Sequence, residues 1–291
     1  MSDFTLSRRV FCHSLIGGCV AASSSRIFAA DDVSGDTTKW KKLPRFDAAE
    51  IAKQHAHGLV RAAHGYLEKH GTLPPAVIPN PKLAAGKRLS GLVLLLPFLG
   101  QKSYMVKGEL CFDQKTIELG KKLFESIDQT KAWDDPANQK AANTVMPAFM
   151  TPGSGRHYNL KGYPLSHFAF VKGSSQKEDG AFPGEVGIKL AEITDGTVNT
   201  LGIGQINEDL APWIAEGRGT SRQLFAATND MPASFGSDYG QGAMFATVDS
   251  MAGYFEISKS TMPALQKMAQ RDDGELIDFA KLRQKNPFPK K

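Results

Sequence analysis

The sequence predicts an α+β fold: a long N-terminal helix packed on an antiparallel β-sheet, with long irregular loops and a C-terminal helix. Three observations predict it. An uninterrupted helical pattern runs from about Asp47 to His70. Four short apolar runs, at 168–171, 201–204, 243–248 and 253–257, have the length of strands and lie among turn residues. A last helical segment follows Ser260 and Thr261, with Pro263 in its first turn.

The first helix places Ile51, His55, Leu59, Ala62 and Tyr66 on one face, and His57, Arg61, His64 and Glu68 on the other, which reads as solvated. Gly71 ends it, and Leu73-Pro74-Pro75 prevents continuation. Leu92 to Leu96, stopped by Pro97, is a continuous apolar run that suits either a central buried strand or a buried helical turn. A second helix is expected over Thr116 to Ile127, with Ile117, Gly120, Phe124 and Ile127 inward. The loop 133–138 then leads into a short helix ending near Val145, and 151–163 reads as loop. Residues 216–223 are polar and expected to be exposed. Asp249-Ser250-Met251-Ala252 separates the last two runs as a β-hairpin. Leu265, Met268 and Ala269 face inward on the closing helix, which Gly274 ends.

The most distinctive stretch lies mid-chain, from Ala191 to Gln205. Its Asp195-Gly196 pair supplies the positive-φ position of a tight turn. In Leu201-Gly202-Ile203-Gly204 the glycines leave room for close backbone approach.

With 291 residues and 41% hydrophobic content the chain can build a sizeable core. Its net charge is +5, and the basic residues are scattered without interleaved aromatics, which speaks against nucleic acid as a partner. Residues 1–30 read as an export signal. Ser7-Arg8-Arg9-Val10-Phe11 has a twin-arginine-like pattern, and a weakly apolar stretch follows to Ala22. Cleavage is expected near Ala30. Ile16-Gly17-Gly18-Cys19 is a loose lipobox, so a lipid anchor at Cys19 is the alternative. Residues 31–46 read as a linker, 47–277 as one α+β domain and 278–291 as a polar tail. No later run reaches the roughly 18 apolar residues of a membrane span. Beyond the leader Cys111 is the one cysteine, so an internal disulfide is excluded there and a buried apolar role is expected.

Candidate chemistry is sparse. His57 and His64 share a helix face but stand roughly 10 Å apart along the axis, too far to chelate one ion. Asp134, Asp135 and Asn138 could offer oxygens to calcium, but their spacing matches no EF-hand and suits capping of the next helix. Asp195 and Asn199 read as turn-formers. Trp133 and Trp213 could stack on a sugar, with burial in the core as the default. Gly153-Ser154-Gly155 lacks nucleophile-elbow spacing, and Gly202-Ile203-Gly204 opens no dinucleotide-binding helix. No cofactor or metal ligand set is predicted.

The order of these motifs resembles the domain of unknown function 1559, found in secreted proteins of planctomycete-type bacteria. The similarity covers about 47–277. It is carried by His64-Gly65-Tyr66, Gly71-Thr72-Leu73-Pro74-Pro75, Leu95-Leu96-Pro97-Phe98-Leu99 and Gln101, then Trp133-Asp134, Pro136 and Asn138. Ile193-Thr194-Asp195-Gly196-Thr197 with Asn199-Thr200 is its strongest element, followed by Pro212-Trp213 and Asp273-Gly274-Glu275. The resemblance implies a pseudopilin-like architecture and supplies no catalytic residues. Four features depart from the family pattern. Thr151-Pro152 stands where the family has Cys-Pro after the short helix, and Gly100 where it has a Glu before Gln101. A twin-arginine-like leader stands where a hydrophobic pilin helix is usual, and Asp249-Ser250-Met251 stands where the family has Asp-Gly-Ser. Together these readings lead to an exported, non-catalytic envelope-associated protein. The alternative is an extracytoplasmic hydrolase or metal-dependent enzyme.

Overall fold

A computed structural model describes residues 45–102, 110–152, 154–174, 178–225, 234–275, 277 and 282–284. The leader with Cys19 and nearly all of the linker and tail lie outside the described residues.

Helix α1 spans Arg45–His70, so it begins inside the stretch expected to be linker. Its composition decides its place. Ala48, Ala49, Ala52, Ala56, Ala62 and Ala63 keep it slender and are all buried. A Cβ on Gly58 would come within 2.6–2.8 Å of Cys111 and Phe112, and one on Gly65 would meet Gln101 and Phe98. Neighbouring segments therefore approach α1 from several sides at close packing distance. The two-faced helix expected from periodicity is not observed: His57 and Arg61, assigned to the solvent face, are only 6% and 4% exposed.

The run Gly91–Phe98 resolves into a 3-10 helix, started by the Ser90 hydroxyl accepting from the Leu92 N–H. It packs between α1 and α2 (Gln114–Ser126), where a Cβ on Gly120 would lie 2.9 Å from the Leu96 carbonyl. Ile117 and Ile127 are buried as expected. A four-residue helix α3 covers Gln139–Ala142.

The sheet has five strands: β1 (Phe168–Val171), β2 (Leu201–Gln205), β3 (Ser221–Arg222), β4 (Gly242–Thr247) and β5 (Ala252–Glu256), in the order β3-β1-β2-β4-β5. It is mixed, not antiparallel as expected: β3 runs parallel to β1, while the other pairings are antiparallel. The stretch 216–223, expected to be exposed, supplies that edge strand with Thr220, Ser221 and Arg222 buried. Polarity misleads here because the Thr220 and Arg222 side chains find backbone partners. The Thr220 hydroxyl donates to the Ala215 carbonyl at 2.8 Å, and the Arg222 guanidinium donates to the carbonyls of Glu208, Asp209, Arg218 and Ser234.

Both faces of the sheet are covered, which explains why its strands read as continuous apolar runs. Phe168, Phe170, Ile203, Met244, Ala246 and Tyr254 belong to the larger core with α1. Ala169, Val171, Phe245 and Phe255 belong to a second core with α4 (Met262–Met268). Leu201 lies in that second core although it is two residues from Ile203. A register shift between them, opposite Ala246 and Thr247, turns it to the other face. Gly204 faces the second core without a side chain, and a Cβ there would stand 2.5 Å from both Phe235 and Phe245. Helix α4 ends at Met268, and Gly274, expected to stop it, lies beyond it at φ 79°. No helix among the described residues is long and apolar enough to cross a membrane.

Candidate functional site

The turn 193–200 is a junction between three parts of the chain. Gly196 sits at φ 86°, the left-handed conformation that the sequence assigned to it. Asn199 donates its side-chain amide to the Asp195 carbonyl at 2.9 Å, and the Thr200 hydroxyl donates to the Gly196 carbonyl at 3.1 Å. The Asp195 side chain does something else. It is buried, and its two oxygens accept the backbone N–H groups of Asp273 and Gly274, each at 2.9 Å. The Asp195 N–H donates to the Arg271 carbonyl. On its other side the turn accepts the N–H groups of Val248 and Asp249 on the Thr200 and Thr197 carbonyls. Thr194 is exposed.

A family model described as protein of unknown function (DUF1559) matches residues 120–262. The chain carries a domain of this family. No curated protein and no solved structure matches the chain. The DUF1559 match includes the Asp195 turn, both described tryptophans and the β4–β5 hairpin. Its partner segment at 271–274 lies just outside the matched range.

The hairpin tip joined to that DUF1559 turn is also gripped by α1. His57 donates from Nδ1 to the Ser250 carbonyl, and His64 from Nε2 to the Val248 carbonyl, both at 2.5 Å. Burial, the largest influence, lowers the His57 pKa below the usual histidine value. On the far side of the helix His55 donates from Nδ1 to the Met150 carbonyl at 2.8 Å, and its burial brings the pKa down to about 4. These imidazoles thus act as carbonyl clamps. The Asp249 carboxylate accepts from the Thr247 hydroxyl and the Met251 N–H, closing the tip on itself.

Sequence reasoning missed a second polar centre, built at one end of the sheet from Thr151, His167, Gln205 and Tyr239, all buried. The Thr151 N–H donates to His167 Nδ1 at 2.8 Å, which leaves the proton on Nε2, and Nε2 donates to the Arg156 carbonyl. Burial, the largest influence, holds the His167 pKa below its ordinary value, against the raising effect of its backbone hydrogen bonds. The Gln205 amide donates to the Tyr239 hydroxyl at 2.5 Å. No spacing in the sequence joins these four positions; the pairing of β1 with β2, which sets Phe168 opposite Gln205, brings them together.

The remaining motif residues divide by burial. Trp213 is fully buried and donates from Nε1 to the Thr144 carbonyl. Pro74 and Pro75 are buried, and the Ala76 carbonyl accepts from Gly91 where the loop closes on the 3-10 helix. Pro97 and Phe98 are half-buried at that helix's end, with Phe98 edge-on to Tyr66. Asp135 caps the N–H of Ala137, and Asn138 bridges Asp128 and Ala132. Trp133 and Asp134 are only half-buried. Among the described residues no group of three or more His, Cys, Asp or Glu side chains is arranged to hold a metal ion. Cys111 is buried, which pushes its thiol pKa up to about 11 and leaves it protonated.

Proposed function

We propose that this DUF1559 protein is an exported, non-catalytic component of the cell envelope with a structural or binding role. One observation carries the reading: the polar groups of the strongest motif are occupied with the chain's own backbone. Asp195 holds Asp273 and Gly274, Asn199 holds Asp195, and Thr200 holds Gly196. Groups engaged in this way stabilise a scaffold and are not aimed at a reacting substrate. Export rests on the twin-arginine-like leader at Ser7 to Phe11, upstream of the described residues.

Cell fractionation with mass spectrometry of the native N-terminus tests both parts. An extracytoplasmic protein cleaved near Ala30, or acylated at Cys19, supports export, and an intact cytoplasmic N-terminus overturns it. Turnover in a broad hydrolase screen that is abolished by changing one residue, or stoichiometric zinc in the purified protein, overturns the non-catalytic reading.

A further inference from the structure

We infer that residues 282–284 guard the outer edge of β5, and that this edge, once uncovered, pairs antiparallel with the same edge of a second copy of the chain. No strand follows β5 in the sheet order β3-β1-β2-β4-β5. The Ile257 N–H donates to the Gln241 carbonyl and the Met251 carbonyl accepts from the Thr247 N–H, so residues 251, 253, 255 and 257 face β4. Ala252, Tyr254 and Glu256 therefore turn their N–H and C=O groups outward, as a template for a further strand. The two edges of the sheet are built differently. β3 has only two residues and carries the charge of Arg222, and both features discourage pairing. β5 has five residues, Ala252-Gly253-Tyr254-Phe255-Glu256, with no Pro or Lys and a single charge at one end.

The cover on that edge comes from the stretch that the sequence marks as a polar tail. The Gln284 N–H donates to the Tyr254 carbonyl at 3.0 Å, and the Gln284 side-chain amide donates to the Glu256 carboxylate at 3.0 Å. The Arg283 side chain lies where a Cβ on Gly253 would stand, so the glycine makes room for its stem. Leu282 packs against the second core and anchors the segment. The sequence of β5 suits a second copy as the occupant of the bare edge. In an antiparallel pair centred on Tyr254, Ala252 of each copy stands opposite Glu256 of the other, and every outward N–H meets an outward carbonyl. The two Glu256 side chains then lie about 14 Å apart along the strands, beyond the Debye length at physiological salt. In-register parallel pairing would set the same carboxylates side by side, which is unfavourable.

This proposal depends neither on export nor on a non-catalytic role. The test is sedimentation equilibrium of the full chain and of its Gln284→Pro and Arg283→Gly variants over a concentration series, with hydrogen exchange of the β5 amides. Gln284→Pro removes the N–H held by Tyr254 and the amide held by Glu256. Its mass is expected to rise towards twice that of the parent as concentration increases, with the Ala252, Tyr254 and Glu256 amides protected in the associated form. Arg283→Gly removes only the cover over Gly253 and should shift the same way at higher concentration. Arg283 is half-buried and outside the core, so the proposal stays testable if the proline variant misfolds. Two variants that keep the parent's mass overturn the self-pairing, as does association that leaves those three amides exchanging freely or that continues past the dimer. A parent chain already paired, with the same amides protected, overturns the guarding role of 282–284.

Discussion

The carboxylate of Asp195 accepts the backbone N–H of Gly274 at 2.9 Å, across 79 residues of chain. Its second oxygen takes the adjacent N–H of Asp273. A mid-chain turn and the segment beyond α4 are thereby one unit.

Removing that carboxylate leaves two N–H groups without their charged acceptor. Asp195→Ala is expected to destabilise the protein by about 2–4 kcal/mol, and Asp195→Asn by less, since the amide keeps one acceptor oxygen. Urea unfolding followed by circular dichroism measures both. Equal midpoints for Asp195→Ala and the parent would show that the clamp contributes nothing.

Acid should weaken the fold through histidines. His55, His57 and His167 all have folded pKa values below the ordinary 6.5, chiefly through burial. Between the folded and unfolded values the unfolded chain holds more protons, so their contribution is complete above about pH 6.5 and is lost as pH falls towards the folded values. For His55, with a folded value about 4, the loss approaches about 3 kcal/mol. Urea midpoints should fall steadily from pH 7.5 to pH 4.5, and His55→Gln should flatten that slope. A slope unchanged by the substitution argues against this assignment.

Gly204 leaves the space that Phe235 and Phe245 occupy, their ring centroids 5.1 Å apart. Gly204→Ala forces those rings to move and should cost about 1–3 kcal/mol. Its thermal midpoint, compared with that of a Gly155→Ala control in open space, reads the effect.

Ser250 adopts φ 73° at the hairpin tip, a conformation that disfavours a side chain. Ser250→Gly is expected to stabilise by about 0.5–1 kcal/mol, with the carbonyl still held by His57. A lower melting temperature for the glycine variant would contradict this account.

Much of the fold was legible because its signals are local. The helix over 47–70, the hairpin and the run at 168–171 follow from periodicity and turn residues within a few positions. The parallel edge strand was not, because Thr220 and Arg222 are buried by carbonyls from distant segments. The same limit hid half of the candidate site. The turn geometry of Asp195 and Gly196 could be read directly, whereas its carboxylate finds its partners at 273–274. His57 was assigned to solvent because helical periodicity counts polarity and cannot see that a small-residue helix is packed from several sides. His167 and Gln205 meet only through strand pairing.

The seating of α1 also bears on synthesis. The helix ends at His70, but the strands that cover it begin at Leu201 and Gly242. At ribosomal speeds of about 5–20 residues per second, the emerging helix waits on the order of ten seconds for its seat. Throughout that interval the parts of α1 that meet β2, β4 and β5 lack their native partners, although β1 is already made. Until β4 and β5 are made, the nascent chain can cover α1 only with segments such as the 91–98 helix and β1, so this core closes late in synthesis.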